Sequence, residues 1–319
     1  MKISELKNGE QIKARWLLKT CEVRKTSTKP PRDYLQVTLS DGTDDIKGML
    51  WNYVNVGNLP QIGRAHNITA QVGEYNEIPQ LTLSRIELAD NQDMSDFLPD
   101  LGYDRQTLYE YAFHLIDHIE DPVLKSITKN IYVVYKNALL MAPAAKTVHH
   151  AGMGGLLKHS LETCEIAMGI FNNCTIVQLN MDLLIAGSLL HDIGKLQVYA
   201  YNDCLIETTD EGYLVEHIPL GIALLEGYKN AEGAEKILLL QHIIASHHGK
   251  LEFGSSVTPK FAEAYVINKA DGISATLDQL KTANKKAKVG DRYTAKIYTL
   301  DNYPHLKQEI IADILKSRE

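Results

Sequence analysis

The longest apolar run of the chain, residues 183–190 (Leu-Leu-Ile-Ala-Gly-Ser-Leu-Leu), ends directly in His191-Asp192. A run of this length reads as a buried helix and falls far short of a membrane span. Keeping a lone charge in an apolar interior is too costly, so Asp192 needs a cation beside it. A salt bridge or a metal can supply one. Lys195 follows His191 by four residues and Asp192 by three, which places it on their side of the helix. The plain reading is an Asp192–Lys195 ion pair. The chemical reading is a lysine that meets a phosphate oxygen beside a metal, a catalytic role it would share with Asp192.

Further candidate ligands are scattered along the chain. His159 shares a helical stripe with Leu156, Thr163, Ile166 and Ile170, and taken alone it would be read as a core histidine. Asp271 follows Ile267 by four residues, so a carboxylate sits on an inward stripe and again needs a cation. His247-His248 precede Gly249 at an expected helix C-terminus, and His217 precedes Ile218-Pro219 at an expected helix N-terminus. Each position has a bland explanation, but the set as a whole does not. His159, His191, Asp192, His217, His247, His248 and Asp271 are too many ligands for one tetrahedral site. They suit two divalent metals sharing a bridging carboxylate, and two metals about 3.5–4 Å apart are the usual device for in-line attack on a phosphodiester. An imidazole-rich set favours Mn, Fe, Co, Ni or Zn over Mg. His242 falls on a different helical face from the His pair and reads as core, whereas His149 and His150, just before Ala-Gly-Met-Gly-Gly155, are candidate substrate contacts.

The chain changes periodicity near residue 90. Before it, alternating segments at residues 12–23, 34–40, 46–51, 66–72 and 80–88 predict five strands, with a connector at 58–64. Five strands with a connector before the fourth fit a small OB-like β-barrel over residues 1–90. Residues 91–102 are polar and acidic and read as a linker. From 103 to 319 the period is helical, with helices expected at 106–119, 122–141, 156–171, 181–191, 218–228, 232–245 and 260–282. The fold class is therefore multidomain α and β, a small barrel followed by an all-α bundle.

Net charge is −7, so the whole chain is not a basic nucleic-acid coat and a polyanion must be met locally. The first strand and the loop after it supply such a place: Lys13, Arg15, Lys19, Arg24, Lys25, Lys29 and Arg32, with Glu22 the only acid among them. Tyr34, Trp51, Tyr53 and Tyr75 lie in or near the strands, as does Trp16. Cations interleaved with aromatics suit single-stranded nucleic acid, and Lys13, Arg15, Arg24, Lys25, Tyr34, Trp51, Tyr53 and Tyr75 are the candidate contacts. Against this stands a solvated basic face over a barrel whose core holds Trp16 and Trp51. The four cysteines show no CxxC spacing and the start has no apolar signal core. The expectation is a reduced, cytoplasmic protein with no membrane partner.

His159, His191-Asp192-Ile-Gly-Lys195 and Ala270-Asp271 resemble the HD superfamily of metal-dependent phosphohydrolases over about residues 145–280. His217 and His247-His248 resemble its two-metal branch. The resemblance implies a first metal on His159, His191, Asp192 and Asp271, a bridging Asp192, and a second metal on His217, His247 and His248. It also implies Mn²⁺. An OB-like domain joined to an HD domain, together with the stretches 144–159, 191–195 and 243–254, resembles the YhaM-type HD-domain 3′-to-5′ exoribonucleases of bacteria. That likeness implies hydrolysis of single-stranded RNA, with single-stranded DNA a further substrate, to nucleoside 5′-monophosphates. The alternatives are an HD phosphodiesterase acting on a small or cyclic nucleotide and a non-catalytic nucleic-acid-binding protein. The sequence leaves a homo-oligomer open.

Overall fold

The computed structural model describes the chain apart from residues 52, 55–57, 77, 93–96, 98–103, 146–151, 203–204, 230–232, 289 and 317–319. It divides into two compact units, Met1–Gly102 with Ala200–Glu207, and Tyr103–Tyr199 with Thr208–Glu319.

The first unit is built on five strands, β1 (Gln11–Lys25), β2 (Asp33–Ser40), β3 (Asp45–Leu50), β4 (Ala65–Tyr75) and β5 (Ile78–Leu88). They close into a barrel in the order β1-β2-β3-β5-β4. The β3–β5 pairing is parallel, while β4 returns antiparallel to β1. This is the topology of an OB-fold. Closure depends on the length of β1. Its first half pairs with β4 through Gln11 to Leu17, and its second half pairs with β2 from Leu17 onward. A register shift between Leu18 and Thr20 marks a bulge at the changeover, where a strand must bend to join two neighbours. The interior is filled by Leu18, Leu35, Val37, Leu39, Ile68 and Leu81. Trp16 is also interior, with its indole N–H donating to Met1 O at 3.3 Å. Trp51 is not: it is 43% exposed, so the alternative that placed it in the barrel core fails.

The second unit holds the helices α1 (Arg105–Asp117), α2 (Pro122–Val134), α3 (Lys136–Met141), α4 (Gly155–Asn173), α5 (Met181–Leu190) and α6 (Lys195–Val198). After them come α7 (Asp210–Leu214), α8 (His217–Glu226), α9 (Ala234–Ser246), α10 (Ala262–Lys286) and α11 (Gln308–Lys316). The helix expected at 122–141 is broken at Tyr135, which leaves helical geometry (ψ 18°) and caps α2. The stretch expected to be all α, 103–319, is not: β6 (Tyr199–Asn202) and β7 (Leu205–Thr208) form a two-stranded sheet, most of which belongs to the first unit. No helix among the described residues is long and apolar enough to cross a membrane.

Helix α5 is the axis of this unit. Residues 183–190 are all buried, as a helix apolar on every side must be. Asn180 caps it, accepting from the Leu183 N–H at 2.8 Å. Gly187 lets two neighbours approach, since a Cβ there would lie 2.7 Å from both Ile243 Cδ1 of α9 and Ile267 Cδ1 of α10. A second close approach follows at the end of α5. A Cβ on Gly194 would meet His217 O at 1.9 Å and Gly221 N at 2.6 Å, so this glycine lets the first turn of α8 pack against the His191-Asp192 turn. Gly194→Ala is expected to force α8 outward, destabilising the fold by about 1–3 kcal/mol. Thermal unfolding together with bound-metal analysis checks it, and an unchanged melting temperature would refute the packing role.

Candidate metal centre

Five helices deliver their side chains to one point. His159 comes from the second turn of α4, His191 and Asp192 from the end of α5, and His217 from the first position of α8. His247 and His248 follow the last turn of α9, and Asp271 comes from mid-α10. Glu216, just before His217, is held at φ +70°, outside the region comfortable for a residue with a Cβ. Backbone strain of this kind accumulates where a neighbouring side chain has to be aimed.

Each of the five imidazoles is oriented through Nδ1. His191 Nδ1 faces Ser188 O, His247 Nδ1 faces Ile244 O and His248 Nδ1 faces Phe253 O, all at 2.8 Å. A carbonyl oxygen only accepts, so these rings carry the proton on Nδ1. His217 Nδ1 faces the Glu216 carboxylate at 3.3 Å. His159 Nδ1 lies 3.0 Å from Ser274 Oγ, whose hydroxyl donates to Glu162 at 3.0 Å and therefore accepts from His159. With Nδ1 protonated, every Nε2 presents a lone pair. Outer hydrogen bonds of this kind are the usual means of fixing tautomer and direction in metal-binding histidines.

The lone pairs converge in two sets. The ligand atoms of His159, His191 and Asp271 lie within 4.8 Å of one another, and so do those of His217, His247 and His248. Asp192 stands between the sets. Its Oδ2 is 3.7 Å from His159 Nε2 and 3.4 Å from His191 Nε2. Its Oδ1 is 3.5 Å from His217 Nε2 and 3.4 Å from His247 Nε2. Acceptor faces acceptor throughout, for example at 3.3 Å between the Nε2 atoms of His159 and His191. Asp192 Oδ1, His217 Nε2 and His247 Nε2 are buried and have no hydrogen-bond partner among the described residues. Buried acceptors of this kind call for cations, and the donor set suits a pair of borderline divalent metals.

Electrostatics agree at His217 and His248, while at His191 the Asp192 carboxylate favours a proton where a cation would otherwise sit. Burial lowers His217 to about 3 and His248 to about 4, so both are neutral ligands at neutral pH. Burial would raise Asp192, but Lys195 and then His191 overturn that and hold it well below the usual carboxylate range. Burial would also raise Asp271, whose contact with His159 holds it low instead. For His191, burial acts downward and is outweighed by Asp192, leaving the ring above its ordinary value. Lys195 Nζ forms the ion pair with Asp192 Oδ2, at 2.6 Å.

The structure brings together all seven expected ligands and Lys195. His242 stays apart, accepting from the Lys260 N–H at 3.0 Å and packing on Phe261. His149 and His150 lie outside the described residues. Sequence reasoning missed Ser274 and Glu162, each three residues after a ligand (Asp271 and His159), and the structural part played by Gly194. Ser274→Ala is expected to weaken metal binding about 10–100-fold, the usual cost of losing an outer-shell partner. Metal titration of the purified variant reads this directly, and an unchanged affinity would remove Ser274 from the account.

The barrel candidates divide. Lys13 and Lys25 are exposed. Arg15 is already engaged, donating to Asn91 O at 3.1 Å with its guanidinium 4.9 Å from the centre of the Phe97 ring. Arg24 is paired with Glu22 at 2.8 Å. Tyr34 and Trp51 pack against each other, tilted by 33°, with centroids 4.7 Å apart. Tyr53 packs against the barrel core, and Tyr75 is exposed at the β4–β5 turn.

Comparison with known families matches the HD domain over residues 156–276, a span that contains all seven ligands. Two solved structures from replication protein A of Methanococcus maripaludis, a domain and its second OB-fold domain, are similar to part of the chain. One shares 19% identity over 29% of this chain and 97% of its own, with a TM-score of 0.25. The other shares 19% over 28% of this chain and 95% of its own, with a TM-score of 0.25. Across nearly the whole length, the 3′-5′ exoribonuclease YhaM of Geobacillus sp. (strain WCH70) is 31% identical over 325 aligned residues, covering 97% of this chain and 96% of the relative. An OB-type barrel, an HD domain and that full-length likeness together place the chain in the YhaM family of 3′-5′ exoribonucleases.

Proposed function

We propose that the chain is a metal-dependent 3′-5′ exoribonuclease that hydrolyses single-stranded RNA to nucleoside 5′-monophosphates, with Mn²⁺ as its metal and single-stranded DNA as a further substrate. The observation that carries the reading is Asp192, whose two oxygens face two separate three-ligand sets, in a chain of this family. His159, His191 and Asp271 would hold one ion, His217, His247 and His248 the other, and Asp192 both. Such a pair supplies an acidified water and positive charge for the phosphoryl oxygens.

The protein's own groups do the rest. Nδ1 tethers keep five imidazoles aimed inward at no reorganisation cost when substrate arrives. Lys195, nearly buried beside Asp192, is the proposed phosphate contact, since a metal held by Asp192 would compete for that carboxylate and leave the ammonium to meet an anion. The barrel, residues 1–90, is the proposed RNA holder, joined by residues 91–102 to the catalytic part at 103–319. Tyr34 and Trp51 give it a base-stacking platform on the β2–β3 side that OB-folds use for oligonucleotides. Lys25 lies beside that pair, one register position from Tyr34, while Lys13 and the exposed Tyr75 lie elsewhere on the barrel and are proposed as further contacts. Arg15 and Arg24 contribute only by exchanging their present partners for phosphate.

The test is incubation of 5′-labelled single-stranded RNA with Mn²⁺. A ladder of progressively shorter labelled products is expected, with nucleoside 5′-monophosphates released. No shortening with any divalent metal would overturn the reading.

A further inference from the structure

A cavity of about 720 Å³ opens beside the metal centre, bordered by His248 and Asp271, one ligand from each metal set. Its size is that of a small-molecule site. Its walls differ from the centre in chemistry. Phe253 is 61% exposed and Tyr265 is 53% exposed, and both rings line it. Phe253 belongs to the short turn Leu251–Phe253, whose last carbonyl orients His248 at 2.8 Å, so the ring and the metal ligand are fixed by one element. Lys250 and Lys269 add positive charge. The Lys250 ammonium lies 5.1 Å from the centre of the Phe253 ring and 3.0 Å from Glu252.

The floor is α10, and next to Asp271 it carries Gly272. Glycine weakens a helix interior and here serves no packing need, because a Cβ at Gly272 would meet nothing within 4 Å. Its conformation is helical, so no positive φ requires it either. Gly272 lines the cavity, and its missing side chain keeps that part of the wall open.

We propose that this cavity is the subsite for the 3′-terminal nucleoside, whose base stacks on Phe253 and Tyr265 while its 5′-phosphate reaches the metals. The proposal rests on the exoribonuclease reading and deepens it. A bare phosphate has no use for aromatic walls, and a base does. Because every base has a π-face, such a subsite accepts all four nucleotides, as an enzyme that shortens a chain step by step requires.

The experiment compares two 5′-labelled RNAs identical but for the last residue, adenosine in one and an abasic ribose in the other. Phe253→Ala and Tyr265→Ala are expected to lower kcat/KM on the adenosine end by about 5- to 150-fold, the range for losing one base stack. On the abasic end the loss is expected to stay within about 2-fold. Phe253→Trp restores the adenosine rate. Gly272→Leu, which adds a side chain to the cavity wall, lowers kcat/KM on the adenosine end, whereas Gly169→Leu, in open space on α4, leaves it unchanged. Equal losses on both ends, or no loss on the adenosine end, would overturn the subsite. If the wild-type protein shortens neither RNA, it is the exoribonuclease reading that fails.

Discussion

Asp192→Asn is expected to lower kcat by more than about 10³-fold and to leave the protein unable to hold a metal pair. The reasoning starts from the two oxygens. Oδ2 faces His159 and His191, and Oδ1 faces His217 and His247. An asparagine keeps the shape but offers one acceptor, turns an N–H₂ donor toward the other ligand set and removes the charge shared by both ions. Losing a single electrostatic stabiliser costs about 10²–10³ in rate, and a bridging ligand serves two. The same change strips Lys195 of its partner, and breaking a buried pair in this way costs about 3–5 kcal/mol. Inactivity must therefore be separated from unfolding. Asp271→Asn makes the separation, because Asp271 belongs to one ligand set only, it pairs with His159, and Lys195 keeps Asp192. It is expected to lose about one ion per chain, keep its fold by circular dichroism and remain at least about 10²-fold slow. Full activity in either variant would remove the two-metal centre from the mechanism.

How much of this could be read without coordinates depended on how local each signal was. The five strands were legible because alternation is written residue by residue, and the bulge in β1 was not, because it answers to two partner strands. The candidate metal ligands stood out as charged or imidazole groups against apolar stripes, His191-Asp192 above all. Ser274, Glu162 and Gly194 did not, since a serine or glycine on a helix is ordinary until its spatial neighbour is known. The sheet β6–β7 was missed because four-residue strands carry too little alternation to register. Arg15 was read as a phosphate contact because its partners, Asn91 and Phe97, lie more than seventy positions away. The Arg24 pairing was the more legible one: Glu22 is two residues earlier on the same strand, hence on the same face.

The remaining barrel aromatics lead to the second large effect. Trp51→Ala is expected to raise KM for a long single-stranded RNA by about 5- to 150-fold, equivalent to about 1–3 kcal/mol for a lost base stack. Its kcat on a dinucleotide should not change. Trp51 is 43% exposed and leans on Tyr34 rather than on the interior, so its removal leaves the barrel core of Leu35, Val37 and Leu39 intact. Trp16, buried and bonded to Met1 O, offers the opposite case: its truncation should cost about 3–5 kcal/mol of stability, whatever the substrate. Salt dependence separates stacking from charge. Trp51→Ala should lower affinity without altering the slope of log K against log salt, because no counterion is released by a ring. Lys13→Ala or Lys25→Ala should each flatten that slope by about 0.7, the value for one phosphate contact on a single strand. If Trp51→Ala instead slows long RNA and dinucleotide alike at unchanged KM, the Tyr34–Trp51 pair is structural and the barrel holds RNA by its lysines alone.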